Sequence, residues 1–179
     1  DVYKRQDIVY DKAEKKVVSV TAENRSAKDM MDRCGDTPDK EVANIVSKAK
    51  DASEIEGKEV VTTLKNDFYR GANAGAETGS NRGTESSLNS MIADATLYGV
   101  NKLTDLKADL GVMNAGGVRE DLASGDVTFA EAFKVQPFGN SLGVVEITGE
   151  QLKQALEQQW KPGQDRPMLA LGLSENVQY

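Results

Sequence analysis

The chain has 179 residues, 39% of them apolar and 28% charged, the balance of a globular protein with room for one substantial core. Its net charge of −7 argues against a nucleic-acid polymer as partner, because phosphate backbones are held by clustered Lys and Arg, but leaves a single nucleotide open, which one or two arginines can serve. The absence of histidine removes the commonest general base and metal ligand, the lone Cys34 excludes an internal disulfide, and no apolar run nears the roughly 20 residues that span a bilayer.

The start, Asp1 to Gln6, lacks the basic–apolar–small order of a signal peptide and runs straight into Ile8-Val9-Tyr10. A chain that opens in mid-strand is expected to lack its natural beginning. Residues 8–21 read as a hairpin with a polar turn from Asp11 to Lys16, which needs a larger sheet to join. Residues 24–37 read as polar and irregular. Asp36-Thr37-Pro38-Asp39 is a helix start, and Val42, Ile45, Val46 and Ala49 give a narrow apolar stripe, so 38–55 is predicted as a surface helix ended by Gly57. A strand over 60–64 and a Gly/Asn/Ser-rich loop over 71–83 follow. From Glu85 a helix is predicted with Leu88, Met91, Ile92, Ala95 and Tyr98 on its inner face. Leu110 to Met113 reads as a buried strand, Thr128 as the cap of a helix through Val135, and 142–147 as a strand. Thr148 and Gln151 form a capping box for a helix over 149–160 with Leu152, Ala155 and Leu156 inward, and Met168 to Leu173 is a final strand.

Binding chemistry concentrates in two turns. Asn114-Ala115-Gly116-Gly117-Val118-Arg119 follows a strand, offers bare backbone at Gly116 and Gly117, and ends in a guanidinium that can fork onto an anion. The segment serves equally well as a tight turn with a solvated arginine. It is neither a dinucleotide fingerprint nor a Walker loop. Pro137-Phe138-Gly139-Asn140 sets an aromatic face beside an amide; Phe138 there can stack on a base or plug a core edge. Arg82 precedes a helix start, where an anion would meet both guanidinium and helix N-terminus, or where Arg82 could pair with Glu85. Asp94 sits among apolar neighbours, either as a buried hydrogen-bonding carboxylate or on the polar face. No catalytic constellation is found.

The order of Arg82-Gly83-Thr84-Glu85-Ser86-Ser87-Leu88, Ile92-Ala93-Asp94-Ala95, Asn114 to Arg119, Gly125-Asp126-Val127-Thr128, Pro137 to Asn140 and Ile147-Thr148-Gly149 resembles the C-terminal domain of bacterial 5′-nucleotidases and UDP-sugar hydrolases, over about residues 57–179. The resemblance implies an α+β fold with a mixed sheet and packed helices, preceded by an orphan hairpin and a linker helix. It divides the chain into 1–24, the end of a catalytic metallophosphatase domain; 25–56, a linker; and 57–179, an incomplete nucleotide-binding domain. Carried over, Arg82 and Arg119 would hold the anionic part of a nucleotide or nucleoside substrate. Asn114 would bond the sugar or orient its loop, Phe138 would stack on the base, and Asn140 would meet the base edge. Two divalent metals are expected in the absent N-terminal domain and none in this segment, which is not expected to be active alone. The parent would be a secreted hydrolase, periplasmic, extracellular or cell-wall associated; the alternative is a non-catalytic nucleotide-binding or cell-surface module on the same fold. Leu88-Asn89-Ser90-Met91 departs from the family's Leu-Gly-Asn-Leu, and the second stacking aromatic of the family lies beyond Tyr179.

Overall fold

Alternating β-branched residues between Ile8 and Val20 build the first feature of the computed structural model, which describes residues 2–35, 37–76 and 78–179. Strand β1 (Val2–Asp11) pairs antiparallel with β2 (Lys16–Ser26), with a register shift between Val9 and Tyr10. Asp11 Oδ1 ties the connecting turn by accepting from the Ala13 and Glu14 amides at 2.8 and 3.0 Å. The hairpin is longer than the predicted 8–21, because a two-stranded ladder continues as long as both backbones stay extended.

Residues 24–35, expected to be irregular, are instead the end of β2 and a helix. Ser26 accepts from the Asp29 amide at 3.1 Å and starts helix α1 (Ala27–Cys34), which closes on Gly35 in the left-handed region at φ 62°. The predicted surface helix is α2 (Lys40–Gly57). Its cap is Asp39, whose carboxylate accepts from the Glu41 and Val42 amides; Asp36 of the predicted start lies outside the described residues. The chain divides into two compact units, 1–51 and 52–179.

The second unit holds a core of Leu88, Ala93, Met113, Val118, Leu122, Val127 and Val135, with Phe68 and Met91 against it. Strand β3 (Val60–Leu64) pairs antiparallel with β5 (Gly125–Thr128), and β4 (Val112–Met113) with β6 (Gly172–Leu173). The α+β class therefore holds, but not the expected mixed sheet: the described strands form three separate antiparallel pairs. Two-residue strands such as β4 and β6 are too short to recruit further partners.

Helix α3 (Ser87–Leu103) lies across β4 and β6. Two glycines permit this approach. A Cβ at Gly172 would stand 2.4 Å from the Asn89 carbonyl oxygen, and one at Gly111 2.1 Å from that of Ala93. The contacts fix which face of α3 turns inward: Leu88, Asn89, Ala93 and Val100 are buried, whereas Ala95 and Tyr98, expected inside, are exposed. Helix α4 (Phe129–Val135) carries a full capping box between Thr128 and Glu131. Helix α5 (Gly149–Glu157) carries the predicted one between Thr148 and Gln151 but ends earlier than predicted. Leu152 and Leu156 are half-buried on α5, and Ala155 is exposed. Residues 142–147 form no strand; their side chains are exposed and their backbone joins no ladder among the described residues.

Candidate functional site

Strand β4 delivers the chain to Asn114, which leads into one turn of 3-10 helix over Ala115–Gly117 closed by the Gly117 amide donating to the Asn114 carbonyl at 3.0 Å. Gly117 is buried because no side chain fits: a Cβ would stand 2.2 Å from Met113 Cε and 2.9 Å from Asn114 Oδ1. At Gly116 a Cβ would stand 3.3 Å from Nη1 of Arg82, so that guanidinium lies along bare backbone. Arg119 leaves the turn with its amide bonded to the Val135 carbonyl at 2.9 Å and its Nη1 donating to the Gly116 carbonyl at 3.4 Å. Its guanidinium carbon sits 5.8 Å from the centre of the Phe138 ring, in cation–π range. Phe138 is 54% exposed, so its ring remains available for stacking.

Contacts thus connect Arg82, Asn114, Gly116, Gly117, Arg119 and Phe138 into one continuous constellation. Asn140 is exposed and makes none of these contacts.

The glycine-rich loop that carries Arg82 is held by a side chain. Asn81 Nδ2 donates to Asn73 Oδ1, its Oδ1 accepts from the Gly83 amide, and its own amide donates to the Gly71 carbonyl, each at 2.8 Å. Arg82 thereby arrives just ahead of α3, whose cap Ser86 accepts from the Asn89 amide at 3.1 Å. No pairing of Arg82 with Glu85 occurs among the described residues. Asp94 accepts from the Glu175 amide at 2.8 Å and so serves to fasten the C-terminal segment.

A cavity of about 240 Å³ opens here, lined by Arg70, Arg82, Arg119 and Arg166, with Ser86 and Asn89 from the N-terminal turn of α3. No described carboxylate lines it. Arg70 is matched: Nε donates to Asp121 Oδ1 at 3.0 Å, its amide to the same oxygen at 2.8 Å, and Nη1 to the Arg119 carbonyl at 2.5 Å. It therefore positions the turn. Arg82, Arg119 and Arg166 form no ion pair among the described residues, and the positive end of α3 adds to their field. The result is a concave, net-cationic recess beside an exposed aromatic ring.

Arg70, Arg166, Ser86 and Asn89 were not predicted as site residues. Ser86 and Asn89 had a readable signal, the first-turn cap of a helix beside a predicted arginine. Arg166 had none, since an arginine before proline in a polar turn reads as solvated surface.

A family model described as 5′-nucleotidase, C-terminal domain, matches residues 60–179. The chain belongs to that family. It is 42% identical over 86 residues to a cell wall protein of Listeria monocytogenes, covering 45% of this chain and 11% of that protein. It is 33% identical over 125 residues to the NAD 5′-nucleotidase of Haemophilus influenzae, covering 68% of this chain and 20% of that one. The fold is similar to that of a 5′-nucleotidase precursor from Thermus thermophilus, with a TM-score of 0.57 at 20% identity over 97% of this chain and 31% of that one. The 5′-nucleotidase family chain described here spans only a minor part of the length of each of these relatives.

Proposed function

We propose that residues 57–179 are the nucleotide-recognition domain of a secreted, metal-dependent 5′-nucleotidase acting on phosphate esters or anhydrides of nucleotides. The observation that carries this reading is the arginine-lined cavity joined, through Arg119, to the exposed face of Phe138. At about 240 Å³ the cavity is smaller than the roughly 300–1,000 Å³ that encloses a drug-sized ligand, so it suits the anionic end of a nucleotide while the base stays outside. In this reading Arg82 and Arg119 hold the phosphate along the bare backbone of Gly116 and Gly117. Phe138 stacks on the base, and Asn114 and Asn140 offer amides toward sugar and base edge.

The described residues contain no group of three His, Cys, Asp or Glu able to hold a metal, and the chain has no histidine. Its donors do not fit a two-metal centre. The two divalent ions that the reading calls for would be held by a separate metal-bearing domain, connected through 25–56, and this domain's part is to bind and orient. The cell-wall relative supports an extracytoplasmic location, periplasmic, cell-wall or extracellular.

The test is titration of the chain with AMP, followed by backbone amide shifts. Perturbations centred on residues 114–119 and 138 are expected, and Arg119→Ala and Phe138→Ala should each weaken binding about tenfold, as the loss of a charge-assisted bond or a stacked base requires. A folded wild-type chain that shows no shift with AMP would sink the reading. The cell-wall relative also favours a second reading, a surface module that binds nucleotides without hydrolysing them. Phosphate release by the full-length gene product separates the two.

A further inference from the structure

Arg166 stands apart from the constellation around Gly116. It lies on a strap over Lys161–Pro167 that is closed at its base by two backbone hydrogen bonds. The Lys161 amide donates to the Pro167 carbonyl at 2.7 Å and the Leu169 amide donates to the Gln159 carbonyl at 3.0 Å, which together make Trp160 and Met168 an antiparallel bridge pair. The side chain of buried Gln159 fixes the strap to the core, its Oε1 accepting from the Leu171 amide at 2.7 Å. The strap is registered on Arg82, whose carbonyl accepts from the Ala170 amide at 2.8 Å. A Cβ at the next residue, Gly83, would stand 3.3 Å from the Met168 carbonyl oxygen.

These contacts order the site. Phe138 touches Arg119, Arg119 touches Gly116, Gly116 touches Arg82, and Arg82 carries the strap that bears Arg166. The strap thus joins the cavity through Arg82, at the far end of this series from the aromatic ring.

Charge gives the order a meaning. A phosphate monoester bears about −1.5 to −2 at pH 7, which two guanidinium groups already balance. With Arg70 matched by Asp121, three arginines still line a cavity that no described carboxylate enters. The surplus cation is Arg166, which joins the site through Arg82 and has none of the contacts that tie Arg119 to Phe138.

We infer that Arg166 is a specificity-determining residue that binds the anionic group beyond the first phosphate, so that this site favours nucleoside diphosphates over monophosphates. The inference rests on the nucleotide-binding reading of the same site. Arg82 and Arg119 meet the phosphate nearest the nucleoside, and Arg166 meets the next one. Its side chain is exposed and supports no part of the core, so changing it leaves the fold intact.

The experiment is calorimetric titration of the chain and of its Arg166→Gln, Arg166→Lys and Arg119→Ala variants with AMP and with ADP, alongside thermal melting of each. The wild type should bind ADP more tightly than AMP. Arg166→Gln should weaken ADP about tenfold, the loss expected for one charge-assisted hydrogen bond, while AMP changes by less than about twofold. Arg166→Lys should recover part of the ADP affinity, and Arg119→Ala should weaken both ligands. Equal loss of AMP and ADP in Arg166→Gln, no loss of either, or a wild type without ADP preference overturns the assignment while leaving nucleotide binding standing. A wild type that binds neither ligand overturns both.

Discussion

Asp67 accepts from the Tyr69 hydroxyl at 2.6 Å and from the Ser124 amide at 2.6 Å, joining the start of the loop before Arg70 to the turn before β5. These bonds, the Tyr69 hydroxyl first, lower its pKa from the ordinary 3.8 to about 2. A carboxylate held lower in the folded than in the unfolded chain adds stability above its unfolded value and loses it as pH falls through the folded one. Urea midpoints measured between pH 4 and pH 2 should therefore fall for the wild type, and fall less steeply in Asp67→Asn; equal slopes would remove Asp67 from the account. Arg70, three residues on, shows how much at this scale the sequence conceals. Nothing in its neighbours marks it as the group that holds the Arg119 carbonyl, because its partners Asp121 and Arg119 are some fifty positions away. Arg82, Gly116 and Arg119 were legible because each sits in a local pattern, a helix start or a glycine turn. Arg166 was not, because only the closure of its strap carries it to the cavity.

Among elements, those specified by neighbouring residues were legible and those specified by distant ones were not. Thr128 and Thr148 each begin a helix with a side-chain bond three residues on, a spacing visible in any sequence. The apolar alternation of β1 and β2 likewise declares itself. Helix α1 was not legible because eight residues are too few to show a sustained helical stripe and its start depends on the single Ser26 cap. The inner face of α3 was read correctly at Leu88, Met91 and Ile92 and wrongly at Ala95 and Tyr98, because Gly111 and Gly172, far along the chain, choose the side that packs. Gly172→Ala makes this testable. The added methyl collides with the Asn89 backbone, so α3 must shift, with an expected cost of about 1–3 kcal/mol in chemical denaturation. Nucleotide affinity should fall with it, since Ser86 and Asn89 line the cavity on the same turn. A variant of unchanged stability would show that α3 does not depend on that close approach.

At the scale of the whole molecule, apolar burial is unevenly distributed. The buried core belongs to the second unit, whereas Ile8, Val9, Tyr10, Val17, Val18 and Val20 of the hairpin are each more than half exposed. A two-stranded ladder without a covered face is marginal in water. Amide exchange of the chain should therefore be fast throughout β1 and β2 and slowest in α3 around Leu88 and Ala93; equal protection in both units would contradict this. The overall charge of −7 was the most legible whole-molecule property and also the one most at odds with the site, which gathers arginines that the sequence scatters from 70 to 166.

The closed base of the strap has a consequence for how this segment can be altered. Gln159 to Lys161 and Pro167 to Ala170 make the anchoring contacts, while Pro162 to Arg166 contribute nothing buried, and Gly163 at φ 85° already tolerates a sharp change of direction. The segment between the anchors is a cassette. It can lengthen, shorten or exchange its charged residue without the core having to repack, so the preference inferred for Arg166 is open to change by loop grafting while the glycine turn and the helix behind it stay fixed.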